Sequence, residues 1–187
     1  MTSTELLPSA AMNKRFNTMA GGFERALSNL RKHEIRVYGT FIFGYDGDTA
    51  GSFAESVDFA RANQMYIAAF NHLTPFPGTP LYHRLQSQGR LRFEKWWLDD
   101  RYSYNMIPFE PKGLAPDELQ RACVAARREF YSWPSIARRS IDAVNRSDWF
   151  MWRNFFLINA LHRSDVSARD HYPLGDQAWT GTLLKAS

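Results

Sequence analysis

Thiol sulfur is nearly missing: the 187 residues contain one cysteine, Cys123. A single cysteine forms no internal disulfide, and alone it supplies neither a zinc cage nor the ligands of an iron–sulfur cluster. A dominant charge is also missing. The chain has 10 basic against 7 acidic residues up to Phe93 and 13 against 12 after it, for a net charge of +4. So even a balance makes neither half a basic tail and singles out no acidic partner. Residues 1–11 lack a charged leader followed by an apolar run, so no secretory signal is predicted. The most apolar stretch, 149–161, is interrupted by Arg153 and Asn154. As a helix it would span ~20 Å at ~1.5 Å per residue, short of the ~30 Å bilayer core. The expectation is a soluble cytoplasmic protein with no membrane span. Apolar residues at 44% against 22% charged are enough to fill a packed core.

Periodicity predicts an α/β beginning. Phe16, Met19, Phe23, Leu27 and Leu30 recur at helical spacing over 12–33. The β-branched and aromatic run IRVYGTFIF, 35–43, reads as a buried strand ending at Gly44. A helix over 51–64 follows, with Phe53, Val57 and Ala60 on one face, and then a second strand over 65–73. TPFPGTP, 74–80, is a loop stiffened by three prolines, and Thr79 caps a short helix that runs to Gln88. Strands separated by helices imply parallel βαβ pairing. After residue 90 the pattern changes. Residues 91–113 are aromatic and irregular. Helices are predicted over 116–130, with Leu119, Cys123, Ala126 and Phe130 facing inward, over 134–144, and from Ser147 or Asp148 to about His162. The tail from Ser164 shows no period. A soft boundary therefore separates 1–90 from a mostly helical 91–187.

Two segments carry the chemistry. GTFIFGYDGDT, 39–49, runs from a strand through a glycine-rich turn into a helix, and ligands in parallel α/β folds sit at strand carboxyl ends. It is either such a site or a plain turn capped by Asp48 or Thr49. The phosphate-loop spacing is absent, and Asp46 with Asp48 lacks the later ligands of a calcium loop. In FNHLTPFPGTPLY, 70–82, strand alternation places Asn71 and Leu73 on one side and His72 on the other. A stiff loop there can hold a ligand at small entropic cost, or it can simply turn the chain.

Together these segments resemble the radical S-adenosylmethionine (SAM) superfamily, in the branch whose members commonly carry a cobalamin-binding domain. Gly44-Tyr45-Asp46-Gly47-Asp48-Thr49 is similar to the motif ending that family's fifth barrel strand, and 73–81 to the proline-rich run after the sixth. Gln88-Gly89-Arg90-Leu91 matches the segment that follows the next short helix, and Asn13-Lys14-Arg15-Phe16-Asn17 the start of the helix before the fifth strand. WWLDDRYSY (96–104), FEPKGLAPDEL (109–119) and ARREFYS (126–132) also resemble the branch. The likeness covers about residues 5–140.

The resemblance implies a partial TIM-like barrel: two parallel strands with helices, followed by a helical extension. It implies that Phe41, Ile42, Phe43, Gly44, Asn71, Leu73 and Thr74 form part of a SAM pocket, chiefly through backbone and shape. The complete enzyme would use SAM, a [4Fe–4S] cluster and cobalamin on a small-molecule substrate. Such enzymes bind the cluster through CxxxCxxC, a motif this sequence lacks. The expectation is therefore a C-terminal part (gene fragment, split subunit or degenerate product) that is not competent alone. It would bind none of these cofactors stably by itself, and no catalytic or metal-binding residue is assigned. Its partner would be the missing N-terminal half or a second copy. The alternative is a non-enzymatic module that associates through its exposed sheet edge. Trp96, Trp97, Tyr102 and Tyr104 either line a substrate pocket or pack the extension. Arg121, Arg127, Arg128, Arg138, Arg139 and Arg146 are read as a solvated face paired with Glu118, Glu129 and Asp142, and no nucleic-acid partner is expected.

Overall fold

The computed structural model describes residues 22–174. The first ten residues of the helix predicted over 12–33, the segment 13–17 and the tail after Leu174 lie outside the described residues. Among the described residues there are six α-helices and one two-stranded parallel sheet. In order they are α1 (Gly22–Lys32), β1 (Tyr38–Phe43), α2 (Ala50–Ala62), β2 (Ile67–His72), α3 (Pro80–Ser87), α4 (Pro116–Phe130), α5 (Trp133–Ser140) and α6 (Trp149–Ala168). None is long and apolar enough to cross a membrane.

Three boundaries differ from expectation, each for a local reason. β1 begins at Tyr38 because the chain before it closes α1: Ile35 N–H donates to Leu30 O (3.0 Å) and Glu34 takes φ +55°. α5 stops at Ser140, and Asp142 Oδ1 then accepts from Val144 N–H (3.1 Å) and Asn145 N–H (3.3 Å), a turn that competes with further helix. α6 continues to Ala168, past the apolar period. Buried Val166 and the Asp165–Arg169 pair (3.2 Å) support its last turns.

The sheet has one covered face and one open face. Gly39, Phe41 and Phe43 pair in register with Ala68, Phe70 and His72 under the helices. There Phe41 stacks on Phe70 (centroids 5.0 Å apart), Phe70 meets Phe130 of α4 (5.6 Å) and Phe43 stacks on Phe53 of α2 (4.2 Å). Phe53, Val57 and Ala60, and Leu119, Cys123, Ala126 and Phe130, are buried on the faces their spacing predicts. This one cluster also takes in Ile107 and Phe109 from the irregular segment. The expectation of a buried β1 holds for this face only. On the other face Tyr38 is 62% and Ile42 45% exposed, since no described element covers them.

The two edges of the sheet also differ. Leu73 N–H donates to Phe43 O (2.7 Å), so odd-numbered residues of both strands face each other. The even-numbered residues turn their peptide groups outward. On β2 both groups of Ala68 and the carbonyls of Phe70 and Tyr66 are taken up by side chains of the C-terminal helices. The Tyr131 hydroxyl accepts from Ala68 N–H (3.2 Å) and donates to Ala68 O (2.8 Å). Arg127 Nε donates to Phe70 O (2.9 Å). Arg139 donates to Met65 O (3.0 Å) and Tyr66 O (3.3 Å), and Asn159 Nδ2 also donates to Tyr66 O (3.3 Å). On β1, the outward groups of Tyr38, Thr40 and Ile42 meet no partner among the described residues.

Arg139 is the key to that seal. It is 1% exposed and has no carboxylate partner among the described residues. Burial pulls its pKa down to about 10, still cationic at neutral pH. Its charge is dispersed over carbonyl oxygens, including Phe130 O and Asn159 Oδ1 (3.0 Å each), and over the Phe130 ring (3.8 Å to the centroid). Replacing it by Met leaves several buried acceptors without donors. Arg139→Met should destabilise the chain by roughly 3 kcal/mol in urea unfolding; a loss under about 1 kcal/mol contradicts this role.

Candidate functional site

The carboxyl ends of β1 and β2 lie side by side and run into the two segments singled out by sequence. β1 ends at Phe43 and runs into Gly44, at φ +103°. A Cβ there would come within 3.1 Å of both Phe109 Cζ and Leu119 Cδ2, so a side chain is excluded by packing as well as by conformation. Asp48 closes the turn, accepting from Gly44 N–H (2.7 Å) and Tyr45 N–H (2.9 Å). Burial raises the Asp48 pKa against the opposing pull of those two N–H groups. Thr49, not Asp48, is the N-cap of α2, and its N–H donates to Ser52 Oγ (3.1 Å). Asp46 pairs with Lys112 (2.9 Å) and Arg90 (3.1 Å), and the hydrogen bond from Lys112 is the leading cause of its lowered pKa. Both acids of the turn are thus engaged within the protein. Among the described residues no three His, Cys, Asp or Glu side chains gather as a metal site.

The residues 109–114 lie over this turn. A Cβ on Gly113 would fall 2.5 Å from Asp48 O, so the two backbones touch. The aromatic segment packs against the proline loop: Trp96 Nε1 donates to Pro75 O (2.9 Å), and its ring meets Phe76 (5.9 Å) and Tyr102 (5.1 Å). Trp97 lies against Tyr82 of α3 (6.0 Å). These contacts join the extension to the strand ends.

The seven residues expected to line a pocket divide between the two faces. Phe41 and Phe43 turn their rings into the covered face, so only their backbones can reach the strand ends. Ile42 and Asn71 are partners in register on the open face, and both are exposed. Leu73 packs against the core beside Gly44, its N–H on Phe43 O. Thr74 is half-buried, and its carbonyl accepts from Phe76 N–H (3.0 Å). The open face thus brings together the Ile42 and Asn71 side chains beside the Gly44–Leu73 backbone.

Two residues near this point have no sequence signal. Arg127 reaches from α4 to Phe70 O, to Asn105 Oδ1 (2.7 Å) and to Asn71 Oδ1 (3.3 Å). Asn105 is 5% exposed at φ +74°, and its Nδ2 donates to Asp170 Oδ1 (3.1 Å). Arg121, Arg128, Arg138 and Arg146 are exposed, as a solvated face requires, whereas Arg127 and Arg139 and the expected acid pairings depart from it. Arg127 and Arg139 turn to β2, Glu129 pairs with Arg61 (2.9 Å), Asp142 pairs with Arg31, and Glu118 accepts from Ala115 N–H (3.1 Å). Cys123 is buried, and burial pushes its thiol up to about 12.

The chain is 36% identical over 153 residues to bacteriochlorophyllide d C-12(1)-methyltransferase of Chlorobaculum tepidum, covering 82% of this chain and 32% of that protein. It is 26% identical over 131 residues to bacteriochlorophyllide d C-8(2)-methyltransferase of the same organism, covering 70% and 28%. It is 29% identical over 110 residues to the anaerobic magnesium-protoporphyrin IX monomethyl ester cyclase of Cereibacter sphaeroides, covering 58% and 17%. The chain spans about a third or less of the length of these relatives. No protein-family model matches it, and no solved structure matches it.

His72, on the covered face, is held neutral: burial first, and the Arg127 charge second, lower its pKa to about 4. An unfolded His titrates near ~6.5. Between these values the unfolded chain takes up a proton that the folded chain refuses. Stability should fall by up to ~3 kcal/mol from pH 7 to pH 4, with no further loss from this group below that. His72→Gln should remove that part of the slope in urea unfolding at pH 7 and 4.5; equal slopes contradict it.

Proposed function

We propose that this chain supplies the last two barrel strands and the C-terminal extension of a radical SAM enzyme of the cobalamin-linked branch, acting on a tetrapyrrole. The one-sided sheet carries this reading. β2 ends the sheet under a side-chain seal, whereas β1 offers an unpaired edge and an uncovered face, the geometry of a strand that expects earlier neighbours. The order of the motifs supports the family, and the match to only 32% of the C-12(1)-methyltransferase supports a missing larger part. The substrate class rests on the names of the relatives: two are methyltransferases of bacteriochlorophyllide d and one is a cyclase of a magnesium-protoporphyrin ester. Residues 1–90 would form the barrel portion and 91–187 the extension.

The strand ends suit one side of SAM. Ile42 and Asn71 offer an apolar surface and an exposed amide, and the peptide groups around Gly44 and Leu73 lie beside them. When complete, the site would use SAM with a reduced cluster to start radical chemistry. The cluster does not fit this chain, whose one thiol is buried and protonated, and no residue here is assigned to cobalamin. These residues bind and orient; none is proposed to transfer a proton. A second reading, association of two copies through the β1 edge, draws on the same open edge.

Anaerobic treatment of the chain with iron and sulfide should give no four-iron absorbance. Added in trans to a polypeptide carrying CxxxCxxC and the first four strands, it should form a complex that converts SAM to 5′-deoxyadenosine. A stable cluster on the chain alone contradicts the proposal. A homodimer that Thr40→Pro dissociates, with no complementation, favours the second reading.

A further inference from the structure

We infer that Arg127 is a positioning residue that fixes the Asn71 amide with its N–H groups directed at the ligand of the open face. This deepens the proposed SAM site and rests on that reading. An asparagine amide has two chemically opposite ends, and an unrestrained one turns either end to a ligand. A guanidinium has donors only and cannot accept. The atom of Asn71 that Arg127 Nη2 meets at 3.3 Å is therefore the carbonyl oxygen, and the Nδ2 donors point away from it. Nδ2 has no hydrogen-bond partner among the described residues, and Asn71 is exposed beside Ile42 on the open face. The site thus presents a fixed pair of donors and selects an acceptor atom, such as a ring nitrogen or a carboxylate oxygen.

Arg127 can fix the amide because it is itself fixed. Nε is bonded to Phe70 O, one residue before Asn71, and Nη1 to Asn105 Oδ1. Asn105 is buried and is held in turn by Asp170, just beyond the end of α6. Three donors in a planar fork, each with its own acceptor, leave the guanidinium little freedom, and a lysine ammonium could not reproduce that fork. The relay Asp170–Asn105–Arg127–Asn71 therefore connects the end of the helical extension to the strand-end site. Sequence distance hides it, because its members are spread from 71 to 170.

The test is NMR on the full chain with labelled asparagine side chains. In the wild type the Asn71 Nδ2 order parameter should approach the ~0.85 of rigid backbone, and in Arg127→Met it should fall below ~0.6. Arg127→Lys should recover it only in part. If the amide keeps its order in Arg127→Met, or is mobile in the wild type, the positioning role is overturned. The ligand arm uses millimolar SAM, a concentration that populates even a site too weak to hold SAM stably on this chain alone. Asn71 Nδ2 should shift in the wild type. Asn71→Asp keeps the pairing to Arg127 but has no donor, so the accompanying shifts at Gly44 and Leu73 should be lost in it. This variant reads the donor role even where Arg127→Met unfolds. Retention of those shifts in Asn71→Asp overturns it. Order lost in Arg127→Met without any SAM-induced shift in the wild type overturns the ligand reading instead, and with it the donor's assignment to SAM.

Discussion

A strand's outward peptide groups must be paired, hydrated or covered, and this two-stranded sheet solves the problem differently on its two sides. On β2 one tyrosine hydroxyl serves both groups of Ala68, as a neighbouring strand's peptide would. Burial holds the Tyr131 pKa up at about 12, so the hydroxyl keeps the proton it needs to donate while it accepts. Two arginines and an asparagine satisfy the carbonyls before and after it. The seal comes wholly from α4, α5, α6 and the turn after α4. The helical extension is therefore the terminus of the sheet as well as a cover over it. On β1 nothing described performs that task, and apolar side chains on the open face are left to water.

The same extension shapes the strand ends. Phe109 and Leu119 press on Gly44, Gly113 touches the Asp48 backbone, and Lys112 with Arg90 holds Asp46. The glycine-rich turn is thus fixed by its own carboxylate and by packing. The two acids of the turn, Asp46 and Asp48, are engaged within the protein. What remains directed outward is backbone, an isoleucine and an oriented amide. That combination suits recognition by shape and hydrogen bonding rather than acid–base catalysis.

Local rules made much of this legible. Strand alternation separates Asn71 from His72, helical spacing gives the inner faces of α2 and α4, and Pro116 marks the first residue of α4. The glycine-rich turn and the proline loop do lie at adjacent strand ends. What spacing could not give were pairings between distant residues. Arg139 and Arg127 lie among eight arginines and three acids from 121 to 163, a run that reads as a solvated face because sequence shows charge but not carbonyl partners. Likewise the strong strand propensity of β1 conveys burial without saying that only one face is covered. Asn105, in a stretch without periodicity, carries no mark of its place between Arg127 and Asp170.

One edge of the sheet is sealed from within and, among the described residues, the other is not. Amide hydrogen exchange on the dilute, monomeric chain measures this directly. The Ala68 amide, bonded only to a side-chain hydroxyl, should exchange as slowly as the core amides of α4, while Thr40 and Ile42 exchange at rates near those of an unprotected strand edge. Protection of Thr40 and Ile42 equal to that of Ala68 would contradict the account.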